Sequence, residues 1–397
     1  MKMHDLTGFN FTVHADPEVN RIIAGQLRAV AEDLAALLGD RLIAVLAAGG
    51  FGRGEGGVVK DEKGIRPVND YDLYLVVKKV KATQRDYGDR IEAVAQSCAA
   101  RFGIKQIDMG LVSRWQLLVP RDSITRYEAR AGHRIIYGPD HITIRSVRAA
   151  RLPQREGTQY FFTRGSGLLI ARYILENRDQ LNNMPWTENV LIELNKAAIA
   201  LGDAELIRRR RYHWSYAERL RRFEALCDPG CRELLPLYRA AVHQKLNPRF
   251  DAAPNAAELE LHWEELADRM VERFLAFESN RFRQTFYNLQ RYGTFIERAG
   301  FNWHGKLYNR LYAVYSGRRG ADPDRQRLIA YLLLAGYRDP EYLQRADQML
   351  EIAPDTAGSG SVRWQHSAAA FLKKWHPEGI VGCLLDKQNK NTAKNNG

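Results

Sequence analysis

The chain has 397 residues, long enough for two or more domains, and its 45% hydrophobic content is that of an ordinary globular protein. Its 59 Lys and Arg outnumber 47 Asp and Glu, and the resulting charge of +12 favours acidic partners such as nucleotides, nucleic acid or anionic glycans without choosing among them. Four cysteines are too few for a disulfide framework, no run of about 18 apolar residues offers a membrane span, and the first residues lack the apolar core of a secretory signal, so a cytoplasmic protein that touches no membrane is expected.

In chain order, residues 1–15 read as a short strand or arm. Asp16-Pro17-Glu18 opens a helix: Asp16 can cap it, Pro17 suits its first position and Glu18 favours its positive end. Ile23, Leu27, Val30, Leu34 and Leu37 recur at helical spacing, and Gly39 stops the run. Leu42 to Ala48 is an apolar stretch of strand length. Gly49-Gly50-Phe51-Gly52-Arg53-Gly54-Glu55-Gly56-Gly57 then packs six glycines into nine residues. Glycines let a backbone approach a ligand closely, and successive N–H groups in such a turn form an anion-binding concavity. Arg53 adds a fixed charge suited to a phosphate, and Glu55 is expected to steady the cradle by pairing with a basic residue. After a polar insert, Asn69-Asp70-Tyr71-Asp72-Leu73-Tyr74-Leu75-Val76-Val77 reads as a strand. Alternate side chains share a face, so Asp70 and Asp72 lie together, about 7 Å apart at Cα, with Tyr71, Leu73, Leu75 and Val77 opposite. Two neighbouring acids repel unless a cation lies between them, and Mg²⁺ prefers carboxylates plus substrate phosphates. A phosphate cradle followed by an acid pair describes a site for a nucleoside triphosphate with Mg²⁺ or Mn²⁺. The plainer alternative is a tight turn and a solvated strand edge.

Thr83 to Phe102 reads as a helix with Tyr87, Ile91, Val94, Ala95 and Cys98 on one face, ended by Gly103. On Ile104 to Val112, Ile107, Met109 and Leu111 share one face and Asp108 the other. Asp108 is a lone strand acid, either solvated or functional. Ser113-Arg114-Trp115-Gln116 has the form of a capping box, Ser123 or Asp122 starts a second short helix, and His133 to Asp140 reads as a strand and turn. Tyr137 is read either as core packing or as a neighbour of a nucleotide base.

The glycine run followed by Asn-Asp-Tyr-Asp-Leu resembles the signature of the DNA polymerase β-type nucleotidyltransferase superfamily: an apolar strand, paired small residues, a short loop, then Asp-x-Asp on the next strand. The Gly-x-Gly-Arg-Gly-Glu form is most similar to the uridylyltransferases that modify the PII signal protein. Two departures stand out. The stretch between Gly50 and Asp70 is long for the family, its excess around Val58 to Val68 suggesting a hairpin over the site, and Gly50 and Asn69 replace common serines. The resemblance spans roughly residues 20 to 140. It implies that Asp70, Asp72 and Asp108 hold the metal ions, that Asp108 also takes the proton of the attacking hydroxyl, and that Gly49, Gly50, Gly52, Arg53 and Gly54 bind the triphosphate. No histidine cluster suggests the hydrolase domain that often accompanies the PII-modifying enzymes.

From about residue 150 the pattern is helical: Glu156 to Asn177 with Gly165 and Gly167 suggesting a close helix contact, Glu188 to Gly202, Glu258 to Glu278, Arg281 to Ala299, Asn302 to Ser316, Asp324 to Tyr337, and a helix opened by Asp339-Pro340. Basic and aromatic residues interleave over Arg208 to Arg222 and Arg281 to Tyr292. That pattern fits single-stranded nucleic acid, but amphipathic helices with aromatics inside and arginines outside are the favoured reading. Cys227 and Cys231 read as ordinary thiols. Pro354 to Val362 looks like a linker, Trp364 to Leu385 a docking helix and turn, and Lys387 to Gly397 a disordered tail.

The expected fold is α+β: a nucleotidyltransferase domain over 1–148 with a small mixed sheet flanked by helices, an all-α bundle over 149–352 that chooses the acceptor, and a C-terminal segment over 353–397. The expected activity is metal-dependent transfer of an NMP group from an NTP to an acceptor hydroxyl on a protein, an RNA or a small molecule. The competing expectation is a nucleotide- or nucleic-acid-binding module without turnover.

Overall fold

A computed structural model describes residues 2–62, 64–68, 70–181, 185–226, 228–251, 254–299, 323–353 and 360–375. The expected helix at Asn302–Ser316, most of the linker, the end of the C-terminal segment, the tail, Cys227 and Cys383 lie outside them. The fold is mixed α+β. Two compact units emerge: Met1–Glu156 together with Leu206–Phe250, and Gly157–Glu205 together with Asp251–Gly397. The sheet-bearing unit therefore does not end near residue 148. It takes back a later helical stretch, which no local pattern announces because the pairing is made over long sequence separation.

The first unit is built on a five-stranded mixed sheet in the order β1-β7-β2-β5-β6. Its strands are β1 (Lys2–Met3), β2 (Leu42–Ala47), β5 (Tyr71–Val77), β6 (Ile107–Val112) and β7 (Arg134–Gly138), with a separate hairpin of β3 (Val58–Asp61) and β4 (Gly64–Pro67). β2 runs antiparallel to both β5 and β7, while β5 and β6 are parallel. Antiparallel neighbours need only the glycine run and hairpin between them. The parallel pair needs a crossover, supplied by α3 (Val80–Phe102).

Helix α1 (Pro17–Leu38) starts where Asp16 accepts hydrogen bonds from the Glu18 and Val19 amides, and ends at Gly39. It buries Ile23, Leu27, Val30 and Leu34 against one face of the sheet, where α3 adds Ile91, Ala95 and Cys98. Tyr71, Leu73, Leu75, Val77 and Ile107 meet them from the strands. The opposite face carries Ala44, Leu46, Val76 and Val112 beneath Leu117 of α4 (Arg114–Leu118) and Ala129 of α5 (Ile124–Gly132). The Ser113–Gln116 capping box opens α4, and Ser123 caps α5. Strand alternation thus buries both faces and leaves Asp70, Asp72 and Asp108 on the α4/α5 side. The insert does form a hairpin, but Lys60 pairs with Glu18 at 2.7 Å, and Val58 and Ile65 pack on the α1 side. It sits beside α1, on the face opposite the acids, rather than over them.

Helices α6 (Arg155–Glu176) and α7 (Trp186–Arg208) are followed by α8 (Tyr216–Glu224) and α9 (Pro229–Leu246). Asp228 caps α9 through the Cys231 amide, with Pro229 in the first turn. Cys231 is a buried free thiol, as is Cys98.

Among the described residues the second unit is helical. Helix α10 (Ala256–Phe282) runs past the expected stop at Glu278 to a left-handed cap at Arg283, and α11 (Leu289–Ala299) begins later than expected. Helices Pro323–Gly336, Pro340–Leu350 and Gly360–Trp375 complete it. A Cβ on Gly167 would come within 2.4 Å of the Glu193 side chain of α7, a close helix contact as expected, whereas Gly165 has room at 3.4 Å and Gly157 adds an equally tight contact, 2.3 Å from the Phe277 ring. Phe274 stacks on Tyr331 at 3.8 Å between ring centroids, and the buried Glu278 accepts from Thr158 at 2.6 Å and pairs with Arg281. The second basic and aromatic stretch is largely spent on this core: Phe286 and Tyr292 are buried.

Leu75 is fully buried at the centre of β5. Leu75→Ala should lower unfolding stability by roughly 2–5 kcal/mol. Urea unfolding followed by circular dichroism checks it, and a loss below about 1 kcal/mol would show that the sheet core is not where it is placed.

Candidate active site

The parallel register sets Asp72 directly opposite Asp108, and Asp70 precedes Asp72 by two residues at the strand's entry. The three acids therefore gather at the N-terminal end of the parallel pair. All reach solvent: Asp72 and Asp108 are exposed and Asp70 is half-buried. Gln106 donates to Asp108 Oδ1 at 2.6 Å. Desolvation in the recess, then the like charges of Asp108 and Asp70, push the Asp72 pKa up to about 6, against a smaller lowering by Lys245 and Arg53. Since Asp72 still reaches water, this belongs to a crowded recess open on one side and not to a sealed charge. Among the described residues no three His, Cys, Asp or Glu side chains converge as a ready metal cage. The three carboxylates are neighbours that have not closed on a common point. Their hard oxygen donors and surplus negative charge fit a divalent cation such as Mg²⁺ or Mn²⁺.

The glycine run forms a single helical turn, α2 (Gly49–Arg53), rather than an open loop. Gly49 stands at φ +59°, and a Cβ there would lie 1.8 Å from Asp72 Oδ2. It must be glycine on both counts, because its backbone lies directly against the acid. Gly52 is packed just as closely: its Cβ would meet the Ala47 carbonyl oxygen at 2.5 Å. Gly50 passes the Glu55 carbonyl, and Gly54 closes the turn in the left-handed region. Gly49 is thus beside Asp72, whereas Gly50, Gly52 and Gly54 shape the turn.

Arg53 departs from the expectation of a phosphate-facing charge. Its side chain is 4% exposed and its Nη1 donates to Glu128 Oε2 at 2.7 Å. Burial opposes its charge, yet Glu128 and the nearby tyrosines raise its pKa well above the ordinary value. Glu128 also receives Arg219 at 2.8 Å and the Tyr212 hydroxyl at 2.6 Å. Burial works against the Glu128 carboxylate, but Arg53 and Arg219 hold its pKa below the usual range. The Tyr216 ring lies under both guanidiniums, 5.6 Å from Arg53 and 4.0 Å from Arg219. Arg53 therefore ties the glycine turn to α5 and α8. Glu55 does not pair with a basic residue either. It is buried and accepts from Ser215 Oγ at 2.7 Å and the Tyr216 amide at 3.0 Å, capping the start of α8. The first basic and aromatic stretch is mostly this scaffold, with Tyr212 and Arg219 fully buried.

Comparison with family models, with characterised proteins and with solved structures finds no match.

Lys245, at the end of α9, is the cation that sequence reasoning missed. It acts on Asp72 and lies 5.7 Å from the Tyr216 ring. It comes 173 residues after Asp72, on a helix whose basic last turn looks ordinary, so nothing local marks it. Tyr137 settles as partial core packing against β2.

Two outcomes are expected. Glu128→Ala strands two buried arginines and should cost roughly 3–5 kcal/mol in urea unfolding. Because the folded Glu128 pKa is depressed, its stabilisation is complete above the unfolded value near 4.5 and lost as pH falls through the folded one. A cost that failed to shrink as pH falls below the unfolded value would refute the assignment. Asp72 has the opposite sign. Its raised pKa means that ionisation destabilises the fold as pH rises from about 4 to about 6. Asp72→Asn should therefore melt higher than wild type at pH 7.5 in EDTA and equally at pH 3.5. A lower melting point at pH 7.5 would show that the recess is not strained by charge.

Proposed function

We propose that the chain is a metal-dependent nucleotidyltransferase, moving an NMP group from an NTP to an acceptor hydroxyl. The observation that carries this reading is the strand register that pairs Asp72 with Asp108, with the Gly49 backbone pressed against the Asp72 carboxylate. Acids facing a backbone stripped of side chains suit a ligand that is both phosphorylated and metal-bound. The sequence resemblance to the DNA polymerase β-type superfamily points the same way.

Asp70 and Asp72, with Asp108 beside them, would hold Mg²⁺ or Mn²⁺. Such an ion, when bound, neutralises acids and phosphates and lowers the pKa of a nearby hydroxyl. The chain's own residues do the rest. Gly49, whose backbone lies against Asp72, lets the triphosphate come close to the acids. Lys245 supplies a positive charge close to the acids for its phosphates, which the buried Arg53 does not. Asp108 accepts the proton as the acceptor oxygen bonds to the α-phosphorus and the bond to pyrophosphate breaks, in line. Gln106 holds the Asp108 carboxylate in position.

The test is a transfer assay with each α-labelled NTP and Mg²⁺ or Mn²⁺, against protein, RNA and small-molecule fractions of a cell extract. Label should enter one fraction with wild type and vanish with Asp70→Ala or Asp72→Ala, both of which should remain folded. Lys245→Ala should raise KM for the NTP about tenfold or more, the loss of a charge-assisted contact. Full turnover by Asp72→Ala would overturn the metal assignment. NTP binding by thermal shift without transfer to any fraction would favour the binding module.

A further inference from the structure

Two groups of arginines in the first unit differ in their partners. Arg53, Arg155, Arg209, Arg219, Arg221 and Arg222 pair with carboxylates. Arg145, Arg148, Arg151 and Arg210 are exposed, and no carboxylate among the described residues pairs with them. The fold brings Arg210 to Arg151, and Arg145 and Arg148 precede Arg151 on the same segment. Arg145, Arg148 and Arg151 recur every third residue on the segment after β7. Arg151 and Arg210 line one cleft of about 340 Å³, with Leu152, Pro153, Gln154 and Ile207. Arg210 holds a left-handed backbone at φ +59°, a costly conformation for a residue other than glycine.

The same segment runs beside α4. The Arg145 amide donates to the Leu117 carbonyl at 2.8 Å, and Arg121 bridges to Ser146. Two residues before Leu117 stands Trp115, 78% exposed, with Val119 53% exposed one turn later. Such an aromatic ring in water is uncommon for a large side chain. The nearby carboxylates Asp122 and Glu156 are already engaged, with Arg155 and with the Ile124 amide.

We propose that this face binds single-stranded nucleic acid, with Arg145, Arg148, Arg151 and Arg210 taking backbone phosphates and Trp115 stacking on a base. Guanidinium forks suit phosphate oxygens, and an exposed ring beside a basic track is the stacking platform that such strands use. An acidic peptide would satisfy the arginines and leave the Trp115 ring without a flat partner. A duplex keeps its bases stacked on each other. The inference is independent of the transfer reading, since it needs neither NTP nor metal.

Fluorescence anisotropy of a 5′-labelled mixed-sequence RNA 12-mer with the full chain, in EDTA and without NTP, tests it. Micromolar binding at low salt is expected, weakening with salt at a log–log slope of about −2 to −3 for three or four phosphate contacts. Trp115→Ala should weaken binding roughly 5- to 100-fold. Trp115→Phe should keep most of the affinity while losing the quenching of tryptophan emission. Arg148→Glu with Arg151→Glu should weaken binding more than tenfold and flatten the salt slope. Arg21→Glu with Arg232→Glu, the same charge change at two exposed arginines of α1 and α9, should do far less. Equal loss in both double variants would overturn the proposal. So would tighter binding to the duplex form, or displacement by polyglutamate with no effect of Trp115→Ala, which would make the face a dock for acidic protein.

Discussion

One buried carboxylate, Glu128, holds the first unit in its working shape. It sits between Arg53 and Arg219 and takes the Tyr212 hydroxyl as a third donor. A lone buried carboxylate or guanidinium is prohibitively costly, so none of these groups can stay inside without the others. The two arginines leave one surplus positive charge, which the faces of Tyr212 and Tyr216 soften. The consequence is geometric. Arg53 ends the glycine turn, Glu128 belongs to α5 and Arg219 to α8. Three elements from distant parts of the chain are locked together by one set of charges, and Glu55 adds a second tie by capping α8.

The acid recess next to this lock is its electrostatic opposite. The Glu128 carboxylate faces two guanidiniums, whereas Asp70, Asp72 and Asp108 stand together, with Lys245 as the opposing charge that acts most strongly on Asp72. Crowding of like charge at Asp70, Asp72 and Asp108 is what a bound cation would relieve. Perturbed acids in an open recess are a functional signal of this kind. The Gly49 backbone against Asp72 sharpens it, because the Asp72 carboxylate occupies the place a side chain at Gly49 would need.

Much of the sheet and its covering helices was legible locally. Alternation placed Leu73, Leu75 and Val77 opposite Asp72, helical spacing picked out the buried face of α1, and Asp16, Ser113 and Asp339 announced helix starts by their capping chemistry. The acid pair was legible for the same reason, since period-two geometry needs only two residues. Helix boundaries around Arg283 were less so, because a left-handed cap at an arginine has no sequence mark.

The sequence by itself determined the short-range matters: strand faces, caps, the glycine-rich turn and Asp72 on the strand face opposite Leu73, with Asp70 just ahead of the strand, each decided by steric and hydrogen-bonding preferences within a few residues. Only the tertiary structure decided the rest. That Asp108 faces Asp72 depends on the register of two parallel strands separated by a helix. That Arg53 turns inward depends on Glu128, 75 residues on, and that Lys245 reaches the acids depends on a helical stretch folding back onto the sheet. Charges act through space, and the chain order does not record which of them will meet.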